Sequence, residues 1–285
     1  MAEISAAAVK SLRDRTGAGM MDCKRALEEA GGDEEKAIDL LRQRGAAKAA
    51  KRADRETSEG AVRITRTGDG TVVMVEATSE TDFVARNAEF LAFADRAAAT
   101  AAEADVPEGE TRDGEELLDY PEDEPLRKEL NELRARIGEN VGLGRYVKWM
   151  PGDGSVVGQY IHFGNKIGVI VELEGAEHEE AGAEMAREVA MHVAAADPAG
   201  IRPEDIPEEE RERERAVLTE QARQEGKPPE IVERIVEGRM RKFYEQNTLL
   251  EQGFVKDPDT TVGELLAGAP GDLEVRRFVR FEVGA

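Results

Sequence analysis

The stretch Val72-Val73-Met74-Val75, followed shortly by Thr81-Asp82-Phe83-Val84-Ala85-Arg86-Asn87, is where an apolar run hands over to a helical pattern. The four apolar residues read as a buried strand. Asn87 is a helix-capping residue type, and Phe90, Ala94 and Ala97 follow it at helical spacing. A strand and a helix joined by a short corner form one layer pair of an α+β fold. The corner carries an aromatic beside a carboxylate, Phe83 and Asp82, at the kind of place where a rigid scaffold presents functional residues. Two readings stand open: Phe83 inserts into another protein's pocket, or it packs in this chain's own core with Asp82 as a second cap.

Outward from that corner the pattern occurs twice. Residues 62–65, a Gly68-Asp69-Gly70 turn and residues 71–76 read as a hairpin, followed by an Ala-rich helix over 87–101. Residues 156–162, a Gly164-Asn165 turn and residues 167–173 read as a second hairpin, followed by a helix over about 181–196. The second copy has Gly175-Ala176-Glu177-His178 where the first has Thr81-Asp82-Phe83-Val84, which marks the first corner as the functional one. Between the copies, residues 103–125 are acidic and punctuated by Pro and Gly and read as a loop. A helix over 126–137 precedes Gly138-Glu139-Asn140.

Residues 4–45 read as three short helices. Ser5 caps the first, with Val9 and Leu12 apolar, and Thr16-Gly17-Ala18-Gly19 breaks it. Met20, Met21, Cys23, Ala26, Leu27 and Ala30 form the second; Gly31-Gly32 ends it and Asp33 caps the third. Ala37, Ile38, Leu40 and Leu41 give the third its apolar side, and residues 46–55 read as a helical or flexible link. Two adjacent positions on one helix cannot both face inward, so one of Met20 and Met21 is an adaptable contact. After Pro207, a run of Glu and Arg leads to Val217, Leu218 and Ala222. The break Glu225-Gly226-Lys227-Pro228-Pro229 and a return helix with Ile231, Val232, Ile235, Val236 and Met240 complete an antiparallel helical hairpin. Residues 278–283 close the chain as an alternating strand.

Composition sets the partners. Of 285 residues 35% are charged and the net charge is −22, which opposes a nucleic-acid backbone and argues against DNA or RNA binding. Residues 1–55 carry twelve Lys/Arg against ten Asp/Glu, so the remainder carries −24 and the first segment is electrostatically distinct. A lone cysteine, Cys23, fits a reducing compartment. No run approaches the roughly 18 apolar residues of a membrane span, and the start lacks a signal-peptide pattern, so a soluble cytoplasmic protein is expected.

Catalytic patterns are missing. There is no phosphate-binding Gly-x-x-x-x-Gly-Lys-Ser/Thr loop and no Gly-x-Ser-x-Gly elbow. His162, His178 and His192 lie far apart and pair with no cysteine at ligand spacing, so neither metal nor cofactor is expected. His192, between Met191 and Val193, reads as a satisfied core histidine, and Cys23 as a packed thiol. The chain reads as one that acts by binding and is no enzyme.

Residues 12–27, Leu-Arg-Asp-Arg-Thr-Gly-Ala-Gly-Met-Met-Asp-Cys-Lys-Arg-Ala-Leu, closely resemble the N-terminal signature of bacterial translation elongation factor Ts, and Thr81–Asn87 resembles its second signature. Ile137-Gly138-Glu139-Asn140, Lys166-Ile167-Gly168-Val169, residues 190–195, Val236-Glu237-Gly238-Arg239-Met240 and Phe254-Val255-Lys256-Asp257 match in the family's order. The resemblance implies a guanine-nucleotide exchange factor for elongation factor Tu. It implies an N-terminal three-helix ubiquitin-associated-like bundle with linker (1–55), two repeated sheet-plus-helix core subdomains (56–148; 149–200 with 242–285) and an inserted helical hairpin (201–241) associated with homodimer formation. Arg13, Met20, Met21 and Lys24 would contact the GTPase from the bundle. Thr81, Asp82, Phe83 and Val84 would form the wedge that displaces Mg²⁺, and Ile137, Gly138, His162, Phe254 and Val255 match further contact positions. Gly253 stands where the family usually has Pro, which predicts a looser corner. Some longer members continue past the segment ending at Ala285 with a further helix, whose contact is expected to be lacking. The alternative function is a ubiquitin-associated-like adaptor or scaffold without exchange activity.

Overall fold

The computed structural model describes residues 4–50, 52, 54–121, 125–176, 178–226 and 228–285. The N-terminal start, part of the linker (51 and 53), part of the acidic stretch (122–124), Glu177 of the second corner and Lys227 of the hairpin break lie outside the described residues, as do the side chains of 46 and 48–50. The chain mixes helices with several small sheets and divides into two compact units. One comprises Met1–Met150, Phe163–Ile167 and Phe281–Ala285, the other Pro151–His162 and Gly168–Arg280.

The first unit begins with α1 (Ala6–Thr16), α2 (Met20–Glu29) and α3 (Glu34–Ala50). Ser5 accepts the Ala8 N–H at 3.1 Å, and Gly17 in the left-handed region ends α1 by returning its N–H to Arg13 O. Val9, Leu12, Cys23, Ala26, Leu27 and Ala37 close a small core. The third helix runs five residues into what reads as linker. It packs on α6 (introduced below) so closely that a Cβ on Gly45 would come 2.9 Å from Ala135.

The hairpin of β1 (Glu59–Arg66) and β2 (Val72–Ser79) follows, then α4 (Asp82–Ala85) and α5 (Ala88–Glu103). The acidic stretch is not a plain loop. It holds β3 (Arg112–Asp113) and a 3₁₀ helix, Gly114–Asp119, whose Leu117 and Leu118 are buried with Phe90, Phe93 and Ala97. Two leucines in an acidic run have no period to announce them. Then come α6 (Leu126–Ile137) and β4 (Val141–Trp149), the latter an interior strand in a sheet ordered β1-β2-β4-β3. Sequence periodicity does not reveal β4 because a bulge interrupts it: Val75 faces Tyr146 while Ala77 faces Leu143, one extra residue on β4. Past the bulge the lysine of Lys148 falls on the core side. Its Nζ donates to Ala102 O and Ala104 O at the C-terminal end of α5, which makes a buried ammonium tolerable there.

In the second unit β5 (Ser155–Ile161), β6 (Ile167–Glu174) and β9 (Glu274–Glu282) form a sheet in that order; β9 starts four residues before the expected strand. Between β6 and β9 lie α7 (Glu179–Ala196), α8 (Glu208–Gln224), α9 (Pro229–Asn247), the ribbon β7 (Gly253–Phe254) with β8 (Asp257–Thr261), and α10 (Val262–Ala267). The α8–α9 pair buries Ala222, Val232, Val236 and Met240, with Leu218, Ile235, Phe243 and Tyr244 alongside. Val217 and Ile231 are turned outward instead of joining the apolar stripe, because the partner helix offers only a narrow seam. In both larger sheets the hairpin's second strand carries a buried glutamate answered by arginine from the third. Glu76 meets Arg145 at 2.5 Å, and Glu172 meets Arg277 at 2.6 Å and Arg276 at 3.3 Å.

Candidate functional site

The corner after β2 is built by two successive caps. Thr81 is extended, and its Oγ1 accepts the Val84 N–H at 3.4 Å, starting the four residues of α4. Asn87 then accepts the Glu89 and Phe90 N–H groups and starts α5. A single helical turn must divide its faces. Val84 and Ala85 are buried, Val84 in the core with Phe90 and Ala94, so Phe83 points the other way and is 83% exposed. The cap is Thr81 and the aromatic lies outside, so the core reading of Phe83 is excluded. Asp82 is half-buried and pairs with Arg86 at 3.2 Å, an exposed i,i+4 contact of small energy.

The segment after α6 sits against this corner. Gly138, with φ +81°, ends α6 in the left-handed region, a conformation that side chains disfavour. The turn it makes directs Glu139 back: its carboxylate accepts the Thr81 hydroxyl at 2.9 Å and the Thr81 N–H at 3.1 Å. The reverse contact also exists. Glu80 accepts the Asn140 N–H at 2.6 Å and meets Arg55 at 3.2 Å, while Asn140 Nδ2 donates to Arg55 O. The Asn140 amide, aided by Arg55 against the cost of burial, holds the Glu80 carboxyl below its ordinary pKa. Ile137 is half-buried on the unit's core. These bonds join Glu139 and Asn140 to Thr81 and Glu80, with Ile137 and Gly138 directly before them in the chain. Glu80, Glu139 and Asn140 escape a sequence reading, since no spacing within either segment announces a bond to the other.

At the start of α2 both Met20 and Met21 are exposed, at 58% and 62%. Neither packs inward, because Cys23, Ala26 and Leu27 already occupy the inward positions. Arg13 is exposed on α1, and Lys24 is exposed near Glu28 at 3.8 Å.

In the second unit His162 follows β5, exposed, with Nδ1 3.1 Å from the Tyr160 hydroxyl. Phe163, which sequence reading left out of the contact set, is 98% exposed. Phe254 is buried, its ring 6.0 Å from that of His192, so its side chain supports the turn and does not present a surface. Val255 occupies that turn and is 45% exposed. Its N–H donates to His192 Nδ1 at 3.1 Å, which leaves the proton on Nε2 to donate to Gln252 Oε1 at 3.0 Å. His192 is thus a satisfied core histidine with burial pushing its pKa down. At Gly253 the Pro258 carbonyl stands 2.7 Å from where a Cβ would lie, so a side chain there would need the facing strand to shift.

Met20, Met21, Phe83 and Val255 thus stand among the large apolar side chains that the surface exposes. Such side chains gain most by being covered by another protein.

Comparison with known proteins gives the arrangement its relatives. The family model for elongation factor Ts matches residues 80–285. The chain is 49% identical to elongation factor Ts of Alkalilimnicola ehrlichii, over 99% of this chain and 92% of the relative. It is 46% identical to that of Deinococcus deserti, over 97% of this chain and 98% of the relative. It is 44% identical to that of Aquifex aeolicus, over 97% and 96%.

Proposed function

The chain belongs to the elongation factor Ts family, and from that premise we propose how its surface carries out guanine-nucleotide exchange on elongation factor Tu during translation elongation. The observation that carries the reading is Phe83, exposed on a one-turn helix beside Asp82 and braced from behind by buried Val84.

A GTPase of this kind holds GDP through backbone amides, a lysine and Mg²⁺. A protein that weakens the nucleotide must stabilise a GTPase conformation in which those contacts are poorer, and it forms no covalent bond in doing so. Thr81, Asp82, Phe83 and Val84 act as the wedge: Phe83 enters an apolar pocket of elongation factor Tu and parts the elements that carry the Mg²⁺ ligands. Thr81 and Val84 hold it in place. Coupling is reciprocal, so GDP weakens the wedge's binding by the factor by which the wedge weakens GDP.

The three N-terminal helices serve as a ubiquitin-associated-like docking module through Arg13, Met20, Met21 and Lys24. Ile137 and Gly138 extend the contact beside the wedge, and His162 and Val255, with Phe254 beneath, supply a contact from the second unit. The matching order of hairpin, helix and third strand in both sheets supports two repeated core subdomains, and the α8–α9 pair, with Val217 and Ile231 turned outward, is suited to self-association. No helix among the described residues is long and apolar enough to cross a membrane, in keeping with a cytoplasmic partner.

The test is release of fluorescent GDP from elongation factor Tu on mixing with this protein in the presence of Mg²⁺. Acceleration that is weakened by excess Mg²⁺ is expected. Binding without acceleration would instead identify an adaptor.

A further inference from the structure

We propose that Glu80 and Glu139 are positioning residues for nucleotide exchange: their carboxylates lock the corner that presents Phe83. The proposal rests on reading Phe83 as the wedge.

A four-residue helix has too few internal hydrogen bonds to hold an orientation by itself. The force that parts a partner's elements has to be resisted by something behind it. Val84 and Ala85 provide apolar backing on one side of the turn, which leaves the direction of the Glu80–Thr81 link to be set by polar contacts. The two carboxylates supply them. Glu139 takes both donors of Thr81, the hydroxyl at 2.9 Å and the amide at 3.1 Å, one on each oxygen. Ser79 Oγ donates to Thr81 O at 3.1 Å, so both polar backbone groups of Thr81 are engaged. From the other direction Glu80 takes the Asn140 amide at 2.6 Å. Each of two neighbouring segments thus contributes a carboxylate to the backbone of the other, with charge-assisted bonds on both sides.

The clamp is not needed to hold α6 in place. Leu126, Leu130 and Leu133 already bury that helix in the core. What the clamp adds is a fixed direction for the residues that follow Thr81. Arg55 joins it through Glu80 and through its own carbonyl, so the chain arriving from the N-terminal helices ends on the same lock. Neither glutamate contacts the nucleotide in this scheme; both act through Phe83.

The experiment compares Glu139→Ala, Phe83→Ala and the double variant with the wild-type chain, using fluorescent GDP release from elongation factor Tu at saturating and sub-saturating exchange factor. Glu139→Ala is expected to lower the saturating rate on the order of tenfold, as misorientation of a reacting group does, while the half-saturating concentration moves much less. The double variant should be no slower than Phe83→Ala alone, because a residue that acts through Phe83 has nothing left to position. Hydrogen exchange at the Thr81 amide should quicken in Glu139→Ala, with the thermal midpoint near that of the wild type. If Glu139→Ala loses stability, Glu139→Gln keeps the shape and one acceptor and carries the same comparison. A wild-type rate in the Glu139 variants with a slow Phe83→Ala would overturn the clamp alone, as would additive losses in the double variant. A wild-type rate in Phe83→Ala would overturn the wedge, and the clamp with it.

Discussion

Truncating Phe83 to alanine separates folding from function because the side chain is 83% exposed. Full burial of a phenylalanine is worth roughly 1.5–3 kcal/mol, so the sixth or so that is covered contributes about 0.5 kcal/mol or less to folding. In a chain of this size that corresponds to about 2 °C or less in thermal midpoint. At an interface the same side chain, fully covered, is expected to act as a hot spot of about 2 kcal/mol or more, equivalent to roughly thirtyfold in rate or affinity. Its neighbour Val84 makes the contrast. Buried in the core with Phe90, Val84→Ala loses two methyl groups and leaves a void, for about 2 kcal/mol or more of folding stability. The assay is a pair of measurements on each variant: calorimetric unfolding of the free protein, and stopped-flow release of fluorescent GDP from elongation factor Tu. Phe83→Ala should unfold like the wild type and exchange at least about tenfold more slowly; Val84→Ala should unfold early. A Phe83→Ala protein that melts several degrees lower, or that exchanges at the native rate, would refute the reasoning.

Replacing Met20 and Met21 together by alanine should leave the melting temperature unchanged, since both are exposed, while weakening binding to elongation factor Tu by about tenfold or more in a titration; equal affinity would remove the bundle from the interface. His192 is held neutral by burial, with its folded pKa below the ordinary 6.5. Its contribution to stability is therefore present above pH 6.5 and is lost as pH falls through the folded value; denaturant titrations across that range should show a slope that His192→Phe lacks. Arg277→Ala strips the closer of two guanidinium partners from fully buried Glu172. It should cost on the order of 3 kcal/mol as the carboxylate is left under-paired, read from the denaturation midpoint; a near-neutral result would mean that Arg276 alone compensates.

Much of the backbone follows from neighbours in the chain. Ser5, Asn87, Gly17 and Gly138 each mark a helix end by a bond to residues within a few positions, so residue type and spacing determine them. The Gly68–Gly70 and Gly164–Asn165 turns are equally local, and both hairpins form where they are read. The corner itself is legible, since Asn87 caps the helix after it, but the outward turn of Phe83 is not: the short helix capped by Thr81 buries Val84 and leaves Phe83 outside.

Elsewhere, partners distant in sequence decide. Strand β4 carries a bulge that exists only against β2, so its alternation is broken in the chain itself. Leu117 and Leu118 become core because α5 and β4 lie over them, although their own segment is acidic. Phe254 and Val255 look alike in sequence, and His192, more than sixty residues earlier, determines which is buried and which faces out. The sequence by itself determined the family, most of the helix caps and the hairpins, because those rest on short-range bonds and local pattern. Only the tertiary structure decided that Glu139 and Glu80 cross-brace the corner before Phe83, because a hydrogen bond between segments some sixty residues apart leaves no trace in the spacing of either.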